Sequence, residues 1–202
     1  MTSPQRFYET IELGAAASPF SLPAFPAGSV SLADYSGATH VWLFFHSRDF
    51  VGKPALEDVS CSAAVSLSAM SADVEQFAQA QSVVLGISRD DVDTHARLAA
   101  LLNLKIPLLS DRSGAVGERY GLLPENRWAG SSDGYDFPGC AVLIDKTGRV
   151  RHWQETDFVT SPHRPMPDFV QAKFESNLRL RFVQPRCLPT TDLLDLCASL
   201  NG

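Results

Sequence analysis

The chain has 202 residues, 45% apolar and 20% charged, with a formal net charge of −6 and a pI near 5.3. That balance belongs to an ordinary globular domain with a sizeable core and excludes a disordered chain. The acidic charge, with no basic stripe, argues against a surface that tracks a nucleic-acid backbone, and no apolar run reaches the roughly 18 residues that cross a bilayer.

In chain order, residues 1–17 carry no strong period and read as an arm. Pro19, Pro23 and Pro26 then alternate with Phe20, Leu22 and Phe25. Proline at that density keeps the backbone extended, so 18–28 is an edge or hairpin segment. Residues 41–45 are continuously apolar, as in a central strand covered on both faces. A polar loop over 46–60 holds Gly52 and Pro54, after which Val65, Leu67, Met70, Val74 and Phe77 space a helix through 62–80.

Residues 83–87 form the next buried strand, and the polar stretch 88–91 caps a helix from about Val92 to Leu102. Strand, helix, strand, helix implies parallel pairing with right-handed crossovers. A short strand at 106–109 and a short helix at 115–120, stopped by Gly121, come next. A loop at 124–139 leads to a strand at 141–144, the turn Lys146-Thr147-Gly148 and an antiparallel return at 150–153. Beyond Pro162, Pro165 and Pro167, helical patterns occupy 168–178 and 190–200.

The four cysteines, Cys61, Cys140, Cys187 and Cys197, make no Cys-x-x-Cys pair. That argues against a structural zinc site and against a dithiol redox motif. In a reducing cytosol each is either a small core residue or individually reactive. Cys140, before a buried strand, and Cys197, on a leucine-bearing helix, are expected in the core. Cys187 falls outside any predicted element.

Several stretches share their order and spacing with one family. They are Phe20-Ser21-Leu22-Pro23 with the run from Val30 to Gly37, then His40 to Phe50, then Val84-Leu85-Gly86-Ile87-Ser88 with His95. Ile106-Pro107-Leu108-Leu109-Ser110-Asp111, Tyr120-Gly121 and Val142-Leu143-Ile144-Asp145 with Gly148 complete the set. Over 19–153 the chain resembles a peroxiredoxin of the alkyl hydroperoxide reductase and thiol-specific antioxidant superfamily. The resemblance implies a thioredoxin-like α/β fold, a central mixed sheet flanked by helices, over 18–178, with a C-terminal extension at 179–202. It further implies a cytoplasmic thiol peroxidase, in dimeric form, that takes a peroxide as substrate and an external thiol, thioredoxin-like or small, as reductant. No cofactor or metal is implied.

Family members attack peroxide with a cysteine in the motif Pro-x-x-x-Thr-x-x-Cys. Pro54-Ala55-Leu56-Glu57-Asp58-Val59-Ser60-Cys61 keeps proline and cysteine seven apart and puts Asp58 where the threonine belongs. Matching without gaps from the following helix puts the reactive position at Ala63, and matching from the preceding strand puts it near Pro54 or Ala55. Cys61 is therefore reached through compensating insertions in the loop. The resemblance also implies an arginine just before the late strand, near Gly139, where this chain has none. Arg48, Arg127 and Arg164 are the alternatives; Arg127, in the loop leading to that strand, is the first choice.

A free cysteine, with a pKa of about 8.5, is only a few per cent thiolate at neutral pH. A helix N-terminus at Cys61 would favour the anion, a nearby arginine would add to this, and Asp58 would oppose it. His46, after the central strand, is either a polarising group or a satisfied polar residue. Cys187 is the candidate to resolve a sulfenic acid at Cys61. The departures at Asp58 and Gly139 support a second reading, a non-catalytic peroxiredoxin-like domain that binds a partner or senses redox state.

Overall fold

The proline-spaced segment folds as an antiparallel hairpin of β1 (Ser21–Phe25) and β2 (Gly28–Ser31), and a single 3-10 turn leads into β3 (His40–Phe45). The structure, a computed structural model, describes residues 11–48, 62–122, 137, 139–156, 158–164 and 187–201. The expected helix at 168–178 lies outside them. After β3 come α1 (Ser62–Ala72), α2 (Val74–Gln79), β4 (Ser82–Ser88), α3 (Val92–Leu102), β5 (Leu108–Ser110) and α4 (Ala115–Arg119). Then follow β6 (Cys140–Ile144), β7 (Val150–Glu155), β8 (Phe158–Thr160), β9 (Cys187–Pro189) and α5 (Thr190–Asn201).

Seven of these strands make one mixed sheet in the order β2-β1-β5-β4-β3-β6-β7. β4 pairs in parallel with both β3 and β5, as the strand–helix alternation predicts, while β6 and β7 close one side antiparallel. This is the α/β fold with a central mixed sheet flanked by helices that the resemblance implies. β3 is buried along its whole length because both faces are covered. Trp42 and Phe44 pack with Leu67, Met70, Phe77, Leu98 and Leu193 from the helices, and Val41, Leu43 and Phe45 point into a second core with Phe20, Val116 and Tyr120.

Local chemistry fixes the element ends. Asp91 Oδ1 accepts the Thr94 N–H at 2.8 Å and opens α3, and Asn103, in the left-handed region, closes it. Asp111 Oδ2 accepts the N–H groups of Val116 and Gly117, each at 2.9 Å, and so starts α4. The arm docks beside the β6–β7 turn, where Gly14 N–H donates to the Val150 carbonyl and Ala17 N–H to that of Gly148.

Two regions differ from the sequence reading. The single helix expected over 62–80 breaks at Asp73, whose N–H turns back onto the Met70 carbonyl at 3.2 Å. Its carboxylate meanwhile accepts from His163 and Thr190. Cys187, expected outside regular structure, stands on β9, which pairs in parallel with β8 as a separate two-stranded sheet. That sheet lies along α1, with the Val159 N–H donating to Ser66 Oγ at 2.8 Å. Among the described residues no helix is long and apolar enough to cross a membrane.

Candidate active site

Because β3, β4 and β5 are parallel, their C-terminal ends open on one edge, the position at which α/β sheets collect ligands. His46 follows β3 there, its N–H donating to the Ile87 carbonyl at 3.0 Å, and Ser88 stands opposite Ser110. β6 runs antiparallel to β3 with Cys140 opposite Phe45, so Phe137 and Gly139 come to the same edge. Phe137 packs edge-on to Phe45, ring centroids 5.6 Å apart.

His46 is 1% exposed. Its Nδ1–H donates to the Ser47 carbonyl at 2.8 Å, and its ring stacks on Phe44 and faces His95 with centroids 6.4 Å apart. His95 Nε2 lies 2.8 Å from Ser88 Oγ. Burial, then the charge of His95, push His46 down to about 3 against the bond to Ser47. Burial likewise lowers His95 to about 4, although Asp91 and the Leu108 carbonyl raise it. Both rings are neutral at pH 7, so of the two sequence readings of His46 the polarising one loses its charge: the ring brings no positive charge to a thiolate.

At Gly139, where the resemblance calls for an arginine, a Cβ would fall 2.1 Å from the Thr156 carbonyl oxygen. The neighbour is backbone and cannot swing away, since Thr156 N–H is itself bound to the Gly139 carbonyl at 2.9 Å. No side chain fits at that place in this fold. Gly139→Ala is therefore expected to lower stability by about 1–3 kcal/mol through overpacking, read as a fall in urea midpoint. An unchanged midpoint would show that the backbone at Thr156, just after β7, yields.

Among the other arginines, Arg48 follows His46 and is half-buried, and Arg164 is exposed in the turn after β8. Pro54, Asp58, Cys61 and Arg127 lie outside the described residues; α1 opens at Ser62, next in sequence to Cys61. Cys140 and Cys197 are buried in the two cores, as expected. Burial pushes the Cys197 thiol up, against hydrogen bonds from Ser82 and from Trp42 Nε1 at 3.1 Å, which leaves it a poor nucleophile. Cys187 is exposed. Among the described residues no group of three or more His, Cys, Asp or Glu is placed to hold a metal ion.

Sequence reasoning missed one polar cluster. Asp73, 1% exposed, accepts from His163 Nδ1 at 2.6 Å and from Thr190 Oγ1. These partners lie 90 and 117 residues away, and no local pattern marks them.

The sequence model of the AhpC/TSA family matches residues 13–153, a span that holds the whole seven-stranded sheet except the last two residues of β7. The chain belongs to the AhpC/TSA family. It is 30% identical over 154 residues to peroxiredoxin Bcp of Escherichia coli, covering 76% of this chain and 90% of that one. Peroxiredoxin Bcp of Bacillus subtilis is 29% identical over 150 residues, covering 72% and 87%. The fold is shared with two solved structures from Mycobacterium tuberculosis. AhpC superposes with a TM-score of 0.62 at 16% identity over 96% of this chain and 95% of its own. Peroxidoxin BcpB gives 0.58 at 21% identity over 86% and 100%.

Proposed function

We propose that this protein is a thiol-dependent peroxidase that reduces hydrogen peroxide or organic hydroperoxides through Cys61. Membership of the AhpC/TSA family and relatives named as peroxiredoxins support the reaction class. The observation that carries the residue is the start of α1 at Ser62, next in sequence to Cys61, which itself stands seven residues beyond the Pro54 of the motif. The first N–H groups of an α-helix lack intrahelical acceptors and carry a partial positive charge, which favours a thiolate beside them.

In this reading the Cys61 thiolate attacks one peroxide oxygen and the O–O bond breaks. The second oxygen leaves as hydroxide, or as alkoxide from an organic hydroperoxide, and takes a proton to become water or an alcohol, while sulfur is oxidised to the sulfenic acid. The Cys187 thiol then attacks that sulfur: an S–S bond forms, the S–O bond breaks, and the hydroxyl leaves as water with the thiol proton. An external thiol, thioredoxin-like or small, reduces the disulfide. Arg127 supplies the positive charge that Gly139 has no room to supply, and Asp58 takes the threonine position. The setting is a cytosolic homodimer.

Asp58 and the closed space at Gly139 also favour a second reading, a non-catalytic domain that binds a partner or senses redox state. Peptide mass spectrometry of the reduced protein after one equivalent of hydrogen peroxide separates the two. Oxygen addition or a disulfide at Cys61, ahead of every other cysteine, is expected for the peroxidase. Peroxide left unconsumed over an unmodified Cys61 supports the binding domain.

A further inference from the structure

The direction in which β8 and β9 run along α1 decides where Cys187 stands. Val159 of β8 is bonded to Ser66 of α1, and His163, four residues on, is bonded to Asp73 just past the end of α1. β8 therefore travels in the same sense as α1, and β9, parallel to it, does too. The register sets Cys187 opposite Phe158, Leu188 opposite Val159 and Pro189 opposite Thr160. Cys187 thus occupies the end of β9 nearest the start of α1 at Ser62, the residue that follows Cys61 in sequence. The distance from Ser62 to Ser66 along the axis is only about 6 Å.

At the opposite end of the strand the chain is tied down. Thr190 follows β9 directly, is fully buried, and donates its hydroxyl to Asp73 Oδ2. Asp73 Oδ1 takes the second bond, from His163, whose backbone N–H is held in turn by Ser161 Oγ at 3.0 Å. A buried carboxylate is stable only with such donors, so one group joins the α1–α2 break, the turn after β8 and the first residue of α5. Neither strand of the pair exceeds three residues, so their own ladder adds little hold.

We propose that Asp73, His163 and Thr190 form a latch that docks β9 and α5 against α1 and so positions Cys187 for the sulfenic acid at Cys61. The second half of the proposal rests on the peroxidase reading; the latch itself does not. These are positioning residues, and none of them touches peroxide.

The test uses the full chain and two variants, Thr190→Val, which keeps shape and removes one donor, and Asp73→Asn, which removes the charge. Amide hydrogen exchange across 187–201 is expected to quicken about tenfold or more in both, with β4 and α3 unchanged. After one equivalent of hydrogen peroxide, sulfenic acid at Cys61, trapped with a 1,3-dione, forms at the wild-type rate, while its conversion to the Cys61–Cys187 disulfide slows several-fold. Exchange that is unchanged, or raised equally throughout the sheet, overturns the latch. Disulfide formation at the wild-type rate in both variants overturns the positioning role. A wild-type chain whose Cys61 is oxidised but never bridged to Cys187 also overturns the positioning role, with the peroxidase reading intact. If Cys61 resists oxidation altogether, the peroxidase reading and the positioning role fail together, and the exchange result alone decides for or against the latch.

Discussion

Replacing Cys61 by serine is expected to abolish peroxide consumption, lowering the rate by at least about a thousandfold, as loss of a nucleophile does elsewhere. A serine hydroxyl is not appreciably ionised at neutral pH, whereas even an unperturbed thiol is a few per cent thiolate and intrinsically far more nucleophilic. The fold has little reason to respond, because the substitution exchanges a single sulfur atom for oxygen. Circular dichroism and the urea midpoint should therefore match wild type while peroxide consumption disappears. The same loss is not expected at Cys140 or Cys197, both buried among apolar side chains. If wild type and Cys61→Ser consume peroxide equally slowly, the sheet has been retained for binding or sensing. If both consume it quickly, another cysteine does the chemistry, and exposed Cys187 is the first to replace.

Much of the sheet could be read from sequence because its signals are local. The apolar run in β3, the aspartate cap and apolar spacing of α3, and the Lys146-Thr147-Gly148 turn each depend on residues within a few positions. The break between α1 and α2 could not be read that way, since the spacing of Val65, Leu67, Met70, Val74 and Phe77 runs straight through Asp73. At that break the Asp73 carboxylate takes a pair of donors from residues 90 and 117 positions away. β8 and β9 escaped for a related reason. Each has three residues, too few for an alternating pattern; β8 packs along α1 and β9 pairs with β8, contacts that no local pattern marks. His46 shows the limit at a candidate site. Its place at the end of a strand was visible, but only the packing of Phe44 and His95 around it decides that the ring is uncharged.

That buried pair carries the second large expectation, a loss of stability on mild acidification. An ordinary histidine has a pKa of about 6.5, and folding holds His46 at about 3 and His95 at about 4. Below pH 6.5 the unfolded chain therefore binds protons that the folded one refuses, so stability is complete above that pH and drains away as pH falls toward the folded values. At pH 5 each group has cost about 2 kcal/mol, and the two together about 4 kcal/mol, a large part of the 5–15 kcal/mol typical of a domain. Asp145 adds a separate loss at lower pH. Burial raises its carboxyl, but hydrogen bonds from Thr147, Arg149 and Arg151 outweigh this and hold it at about 2, so its contribution is present above about pH 4 and fades from there to pH 2. Urea titrations between pH 7.5 and pH 5 measure the histidine part directly. His95→Gln should remove about half of the slope, because a glutamine at that position has no proton to refuse and no charge to press on His46. A wild-type midpoint that stays level down to pH 5 would mean that the ring pair finds room to charge, with water reaching the edge of the sheet between β3, β4 and α1.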